Sequence, residues 1–299
     1  MGREHKRKRG KEKRMRRGVL ILAVLLAAAV LYVLISLWIS VYFLTVRHFR
    51  VDLKTGCDPI RAVVISDLHD HEFGENNEKL AEKIKAQEPD LILMDGDMLN
   101  EDSEDARVPL ELINSLSGTA PIYYSLGNHE ENYIDNGHSE LVVQLEAAGA
   151  VVLDKNYVDL EVNGTQLRIG GMYDYAFGLN GNNEALAAPS DVLAFLQDFQ
   201  NTDRVKIMLA HRPDSFIFGD AGKVWDVDLV ISGHNHSGQV VIPFLGGLYG
   251  GDQGWFPEYI HGLYEKDNLQ MFVTSGLGSS GEKLPRLNNP PEIAVLTIE

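Results

Sequence analysis

With one cysteine, Cys57, in 299 residues, the chain can form neither an intrachain disulfide nor a thiolate metal cluster. Lipid attachment through Cys57 is not expected, because it follows Lys54, Thr55 and Gly56 well downstream of the long apolar run. Internal repeats are absent, and low complexity is confined to one basic tail. Basic residues are scarce elsewhere. Residues 1–17 hold ten Lys or Arg against Glu4 and Glu12, a net of +8, so of the formal total of −16 the remainder carries −24. So acidic a body repels nucleic-acid phosphates, and DNA or RNA is not an expected partner. From Val19 to Val46 there is no Asp, Glu, Lys, Arg, Asn, Gln or Pro at all.

That uncharged run predicts a transmembrane helix. At about 1.5 Å per residue it would extend roughly 42 Å, beyond the ~30 Å hydrocarbon core. Its length and lack of a polar face exclude a buried core helix. Trp38, Tyr42 and Phe43 suit an aromatic belt, closed by Arg47, His48 and Arg50. The run is too long for a signal-peptide core, and no small-x-small cleavage site ends it. The basic tail outweighs the charges that follow, so a single pass with a cytoplasmic N-terminus and an extracytoplasmic body is expected. Arg16–Leu20 (RRGVL) matches the outline of a twin-arginine export signal, a pattern that a tail this basic also produces by chance. The expected organisation is a basic cytoplasmic tail at 1–18, a membrane anchor at 19–46, a linker at 47–59 and one folded domain at 60–299. A hydrophobic content of 44% and a charged content of 23% suit a globular domain.

In that domain apolar runs alternate with amphipathic segments. Strands are expected at 60–66, 91–94 and 122–126, with helices near 75–87, 104–116 and 138–148. Short strands follow at 151–153, 158–162 and 166–169, with an Asn163-Gly164 turn that also fits a glycosylation sequon. A helix near 191–199 precedes strands at 205–209, 229–232, 240–242, 271–274 and 293–298. The mixture predicts an α/β (α+β) fold of two facing sheets with helices outside.

Polar residues of chemical interest fall directly after the apolar runs: Asp67-Leu68-His69, Gly96-Asp97, Gly127-Asn128-His129-Glu130, Ala210-His211 and Gly233-His234-Asn235-His236. Five of the ten histidines occupy these positions, which favours a metal site over scattered structural histidines. In an extended segment residues i and i+2 share a side, so Asp67 with His69, and His234 with His236, would reach adjacent ions.

In this order the five motifs resemble the calcineurin-like metallophosphoesterases over residues 60–299. GHNHSGQ at 233–239 and PRLNNPPEI at 285–293 are similar to that superfamily's bacterial membrane- or wall-associated branch. The resemblance implies a four-layer αββα sandwich of two mixed sheets. It implies two divalent ions, Mn, Fe or Zn, whose bridging hydroxide attacks a phosphate ester. Asp67, His69 and His236 would bind one ion, Asn128, His211 and His234 the other, and Asp97 would bridge. His129, beside Asn128, would hydrogen-bond a phosphoryl oxygen and protonate the leaving alkoxide.

Where many relatives carry an Asp that orients this histidine, the chain has Asn100, with Glu101 and Asp102 as substitutes. The Arg that follows GD in protein Ser/Thr phosphatases is missing, which disfavours a phosphoprotein substrate. His71 reads as a solvent-facing loop residue and His138 as a helix start. Residues 246–264 are glycine- and aromatic-rich, and suit either a substrate lid walled by Trp255 and Phe256 or a core-packing hairpin. The leading expectation is a phosphodiesterase acting on an envelope, lipid-linked or glycan-linked substrate. A nucleotide or phosphomonoester phosphatase is the alternative within the enzymes, and a metal-binding scaffold is the alternative outside them.

Overall fold

The computed structural model describes residues 2–53, 58–172, 183–278 and 284–299, and Cys57 lies outside the described residues. A long helix α1 (Gly2–Tyr42) leads into β1 (Thr45–Val51). Then come β2 (Ile60–Ile65), α2 (Glu78–Lys85), β3 (Leu91–Asp95), α3 (Arg107–Ser115), β4 (Ile122–Ser125), α4 (Asn128–Asp135), α5 (Leu141–Ala148) and β5 (Ala150–Leu153). The second half holds β6 (Asn156–Val162), β7 (Thr165–Met172), α6 (Ser190–Phe199), β8 (Val205–Ala210), the short helices α7 (Asp214–Ile217) and α8 (Ala221–Val224), and β9 (Leu229–Ser232). A small hairpin, β10 (Val241–Ile242) with β11 (Gly246–Gly247), precedes β12 (Gly262–Lys266), β13 (Leu269–Val273) and β14 (Glu292–Ile298).

Two mixed six-stranded sheets result, ordered β1-β14-β2-β3-β4-β5 and β12-β13-β9-β8-β7-β6. Strands β2 to β5 run parallel because a helix carries each crossover. The β6–β7 hairpin turns on Asn163 and Gly164, both at positive φ as a tight mirror-image turn requires. Alternation along the strands builds three apolar layers. Ala62 and Val64 of β2 face Ile207, Leu209 and Ile231 of the other sheet, while Val63 and Ile65 turn outward to Leu80, Ile84 and Leu112 of the helices. Met208, Val230 and Met271 carry Phe195, Phe199 and Trp225 on the far face. The architecture is the expected αββα sandwich.

The segment expected as a linker departs from that expectation. α1 ends at Tyr42, and β1 lies along β14 in parallel from Thr45↔Glu292 to Val51↔Ile298. Arg47, His48 and Arg50, read as charges closing a membrane span, sit on this edge strand. Among the described residues one helix, Arg7–Tyr42, is long and apolar enough to cross a membrane.

Glu292 ties β1 and β14 to the second sheet. Fully buried, it lies 3.4 Å from Arg47 Nε and 2.8 Å from His261 Nε2, and accepts from Thr274 Oγ1 at 3.2 Å and Ser275 N–H at 3.3 Å. Burial pushes its carboxyl up, but the His261 hydrogen bond and the Arg47 charge outweigh it and hold the group below its ordinary value. A carboxylate lowered in the folded state stabilises fully above its unfolded value, and the contribution is lost as pH falls through the lowered one. We expect Glu292→Gln to cost about 1.5–3 kcal/mol at pH 7, the scale of hydrogen bonds to a charged group with Arg47 half exposed. Denaturation midpoints should show this gap closing as the pH drops below the ordinary carboxylate range.

Candidate metal centre

Each motif stands at the carboxyl end of a parallel strand: Asp67 and His69 after β2, Asp97 after β3, Asn128 after β4, His211 after β8, and His234 and His236 after β9. Strand ends of both sheets thus meet at one cleft, the common position for sites in parallel sheets. Glycines let the loops close on each other. A Cβ at Gly127 would come within 2.2 Å of Asp97 Oδ1, and one at Gly233 within 2.0 Å of Ser66 Oγ.

The two dipeptide alternations are not extended. Asp67, His69, Asp97, His234 and His236 all have φ between 43° and 65°, the left-handed region that non-glycine residues avoid. The expected i, i+2 geometry is therefore replaced by tight left-handed turns, which aim both side chains of each pair into the cleft. Strain concentrated at five residues of one site needs a surrounding network to hold it. His69 N–H donates to Asp97 carbonyl (3.0 Å), His234 N–H to Asp67 Oδ1 (3.0 Å) and His129 N–H to Asp97 Oδ1 (2.9 Å).

Three groups of candidate ligands form, each with its donor atoms within 4.8 Å of one another: Asp67 with His69 and His236, Asp97 with His211 and His234, and His69 with Asp97 and His129. Asp97 Oδ2 lies 2.9 Å from His211 Nε2 and 4.0 Å from His69 Nε2, so this one carboxylate faces both sides. Asn128 opens α4 with its Oδ1 3.5 Å from Nε of Arg212, the neighbour of His211.

The donor set fits divalent cations. The Nε2 atoms of His69 and His211 are buried, the first without a hydrogen-bond partner and the second aimed at Asp97 Oδ2. Their other ring nitrogens are oriented, His69 Nδ1 by Asn100 Oδ1 at 3.1 Å and His211 Nδ1 by the Asp95 carbonyl at 2.6 Å. His236 Nδ1 faces the Gly278 carbonyl at 3.2 Å, and His234 Nε2 faces Asp252 Oδ2 at 2.8 Å. Such outer contacts are the usual means of fixing a ligating imidazole. Without a cation, burial and then His236 bring His69 down to about 4. Burial lowers His211 too, but Asp97 overrides it and carries the group to about 10. Burial raises Asp67 and Asp97, yet the surrounding histidines leave both below their ordinary values.

His129 is arranged differently. Its Nδ1 accepts from the backbone N–H of Glu101 at 3.1 Å, so in the neutral ring the proton resides on Nε2. That nitrogen is a donor, suited to substrate and unsuited to a cation. Asn100 does not fill the orienting role weighed for it: it holds His69 and Asp70, and the Glu101 backbone serves His129.

Further residues shape the site. Fully buried, Glu130 accepts from the N–H groups of Asp97, Met98 and Gly127 at 2.8, 2.8 and 2.9 Å and from Tyr124 OH at 2.7 Å. It welds the GD and GNHE loops together, and its place at the end of the latter motif was the available signal. Arg286, also buried, donates to the carbonyls of Ser275, Gly276 and Gly278 and so fixes the loop beneath His236. Asp252 and Arg212 meet at 3.6 Å beside His234. Asp252 comes from the 246–264 segment, in which Trp255 and Phe256 are exposed while Tyr259 and Tyr264 pack against the outer core of the second sheet. His71 is not solvent-facing: it packs against Phe73 and Tyr42, with ring centroids 4.5 and 6.2 Å away. His138 stacks on Tyr133 just ahead of α5.

The family model for calcineurin-like phosphoesterases matches residues 60–238, and the chain belongs to this family of metal-dependent phosphoric ester hydrolases. Similar proteins include the metallophosphoesterase Cj0846 of Campylobacter jejuni, 29% identical over 85% of this chain and 63% of that one. YkuE, a metallophosphoesterase of Bacillus subtilis, is 30% identical over 82% and 80%, and the phosphodiesterase YaeI of Escherichia coli 26% identical over 86% and 88%. The chain thus spans under two thirds of the Campylobacter relative and more of the other two. A solved phosphopantetheinyl hydrolase of Mycobacterium tuberculosis aligns with 75% of this chain and 90% of its own, at 16% identity and a TM-score of 0.45.

Proposed function

We propose that the chain is a membrane-anchored phosphodiesterase that uses two divalent ions. Asp67, His69 and His236 would hold one ion, Asn128, His211 and His234 the other, and Asp97 would lie between them. The observation that carries this is the meeting of two ligand groups on the Asp97 carboxylate, with His129 presenting Nε2–H beside them. Bound there, the ions would supply a hydroxide nucleophile and neutralise phosphoryl charge. The chain's own residues do the rest. Asp97 is pinned through Oδ1 by the His129 N–H, which leaves Oδ2 to face the ligands of both sides. His129 Nε2–H hydrogen-bonds a phosphoryl oxygen; to hand this proton to the departing oxygen the ring takes up a second proton at Nδ1, which displaces the Glu101 N–H, and is left neutral.

A diester is favoured over a monoester by charge. Beyond the ions, Arg212 next to the ligands shares its charge with Asp252, and the buried Arg286 is engaged by loop carbonyls. A diester carries one negative charge to be balanced, and a monoester carries up to two. The name of the Escherichia coli relative agrees. An apolar N-terminal helix supports an envelope or lipid-linked substrate, with the catalytic body outside the cytoplasm as the basic tail suggests.

The full chain in detergent, loaded with Mn²⁺ or Zn²⁺, should cleave bis(p-nitrophenyl) phosphate with kcat/KM at least about tenfold above p-nitrophenyl phosphate, a difference of ~1.4 kcal/mol. The opposite ranking would establish the monoesterase reading. Failure on both with every metal would leave the scaffold.

A further inference from the structure

α1 does more than lead into the domain. Tyr32 OH and Ser36 Oγ each donate to Asn288 Oδ1 at 2.7 Å, Asn288 N–H donates back to Ser36 Oγ at 2.8 Å, and Asn289 N–H donates to Ser40 Oγ at 3.1 Å. Ser36 and Ser40 are buried in this contact, whereas Val19 to Leu34 are exposed. The helix therefore runs along the catalytic body over its last turns.

Length decides where that contact lies. Arg17 is the last charged residue before the apolar run, so the hydrocarbon core begins near Val19. A core of about 30 Å at ~1.5 Å per residue takes up about twenty residues and ends near Trp38. Ser36 then stands roughly 25 Å above Val19, inside that boundary, and tilting the helix only lowers it further. Asn288, bonded to Ser36, is held at the level of the bilayer surface or below it.

From Asn288 the contact passes to the small hairpin. Asn288 Nδ2 donates to the Val241 carbonyl at 3.1 Å, and Val241 N–H donates to the Leu287 carbonyl at 2.9 Å. At its tip Phe244 and Leu245 are fully and largely exposed. On the upper side Asn289 Nδ2 donates to the His236 carbonyl at 2.7 Å, so one short segment joins the helix, the hairpin and the metal cleft. Where α1 leaves the span, Tyr42, Phe43, Leu44 and Phe73 floor a cavity of about 280 Å³ edged by Lys79, Lys83 and Glu72, whose carboxylate is paired with Arg107. Apolar floor and cationic edge together match lipid chains and headgroup phosphates.

We infer that the β10–β11 hairpin enters the leaflet on the catalytic side, with Phe244 and Leu245 among the lipid chains, and that the metal cleft opens at the headgroups. This rests on the anchoring proposed above. It makes the bilayer surface itself the partner of this face.

Single cysteines in a Cys57→Ser background of the full chain, labelled with an environment-sensitive nitrobenzoxadiazole and reconstituted in phosphatidylcholine–phosphatidylglycerol vesicles, test it. Position 244 reports the hairpin, Leu25 in α1 the span, and Leu186, exposed beside Ala185 of the second sheet's outer core, the aqueous phase. At 244 the label should match the one at 25: blue-shifted emission, quenched by doxyl lipid and protected from aqueous iodide. If 244 behaves like 186 while 25 is in lipid, the hairpin inference is overturned and the anchor stands. If 25 is also in water, the anchor fails and takes the inference with it.

Discussion

His129→Ala should bind metal as the wild type does and lose about 10²- to 10⁴-fold in kcat, the usual contribution of a positioned general acid. Separation of these two properties is expected because the substitution keeps the backbone N–H that holds Asp97 Oδ1 at 2.9 Å. It also keeps Asn128 at the head of α4. What disappears is the Nε2–H donor. The Glu101 N–H left behind is solvent-exposed, so little stability is at stake. The deficit should depend on the leaving group. A nitrophenolate departs without a proton and should suffer least, while an alkyl alkoxide needs one and should suffer most. Rates for a series of diesters of graded leaving-group acidity check this: a steeper dependence in the variant is expected, and parallel lines would remove His129 from proton transfer.

Asp97→Asn should do greater damage, and by another route. The wild-type carboxylate is buried and faces His211 at 2.9 Å and His69 at 4.0 Å with the same oxygen. Because the other position accepts the His129 N–H, an amide keeps its oxygen there and turns its NH2 end to where the shared carboxylate oxygen stood. Activity should fall by more than the 10- to 100-fold typical of an outer-shell change. Metal content should fall with it, whereas for His129→Ala it does not. His211 should respond as well, since Asp97 is what raises it. Circular dichroism of the variant against the wild type distinguishes loss of ligand from loss of fold.

Much of this site could be read from the chain because its motifs sit where strands end. The run from Ala62 to Ile65 is apolar without interruption, and Asp67 is the first acid beyond it, so strand and ligand announce each other. Asp97 likewise stands two residues beyond the strand Leu91–Asp95, and His234 two residues beyond Leu229–Ser232. What escaped had no such border. β1 directly follows the apolar helix, and its Arg47 and His48 resemble the charges that close a membrane span. α4 consists of the motif residues themselves and offers Tyr133 as its one buried apolar side chain. Left-handed φ at Asp67 and His236 leaves no trace in residue type, because a tertiary network, and not glycine, enforces it. Asp252 belongs to a loop whose composition suggests flexibility, and its contact with His234 exists only in three dimensions.

Side chains from both sheets converge on one cleft, where they would hold a pair of ions across Asp97. Manganese titrated into the metal-free full chain and followed by electron paramagnetic resonance tests it most directly. Two equivalents bound as a magnetically coupled pair, uncoupled in Asp97→Asn, is the result predicted. A single equivalent, or two without coupling in the wild type, would contradict it.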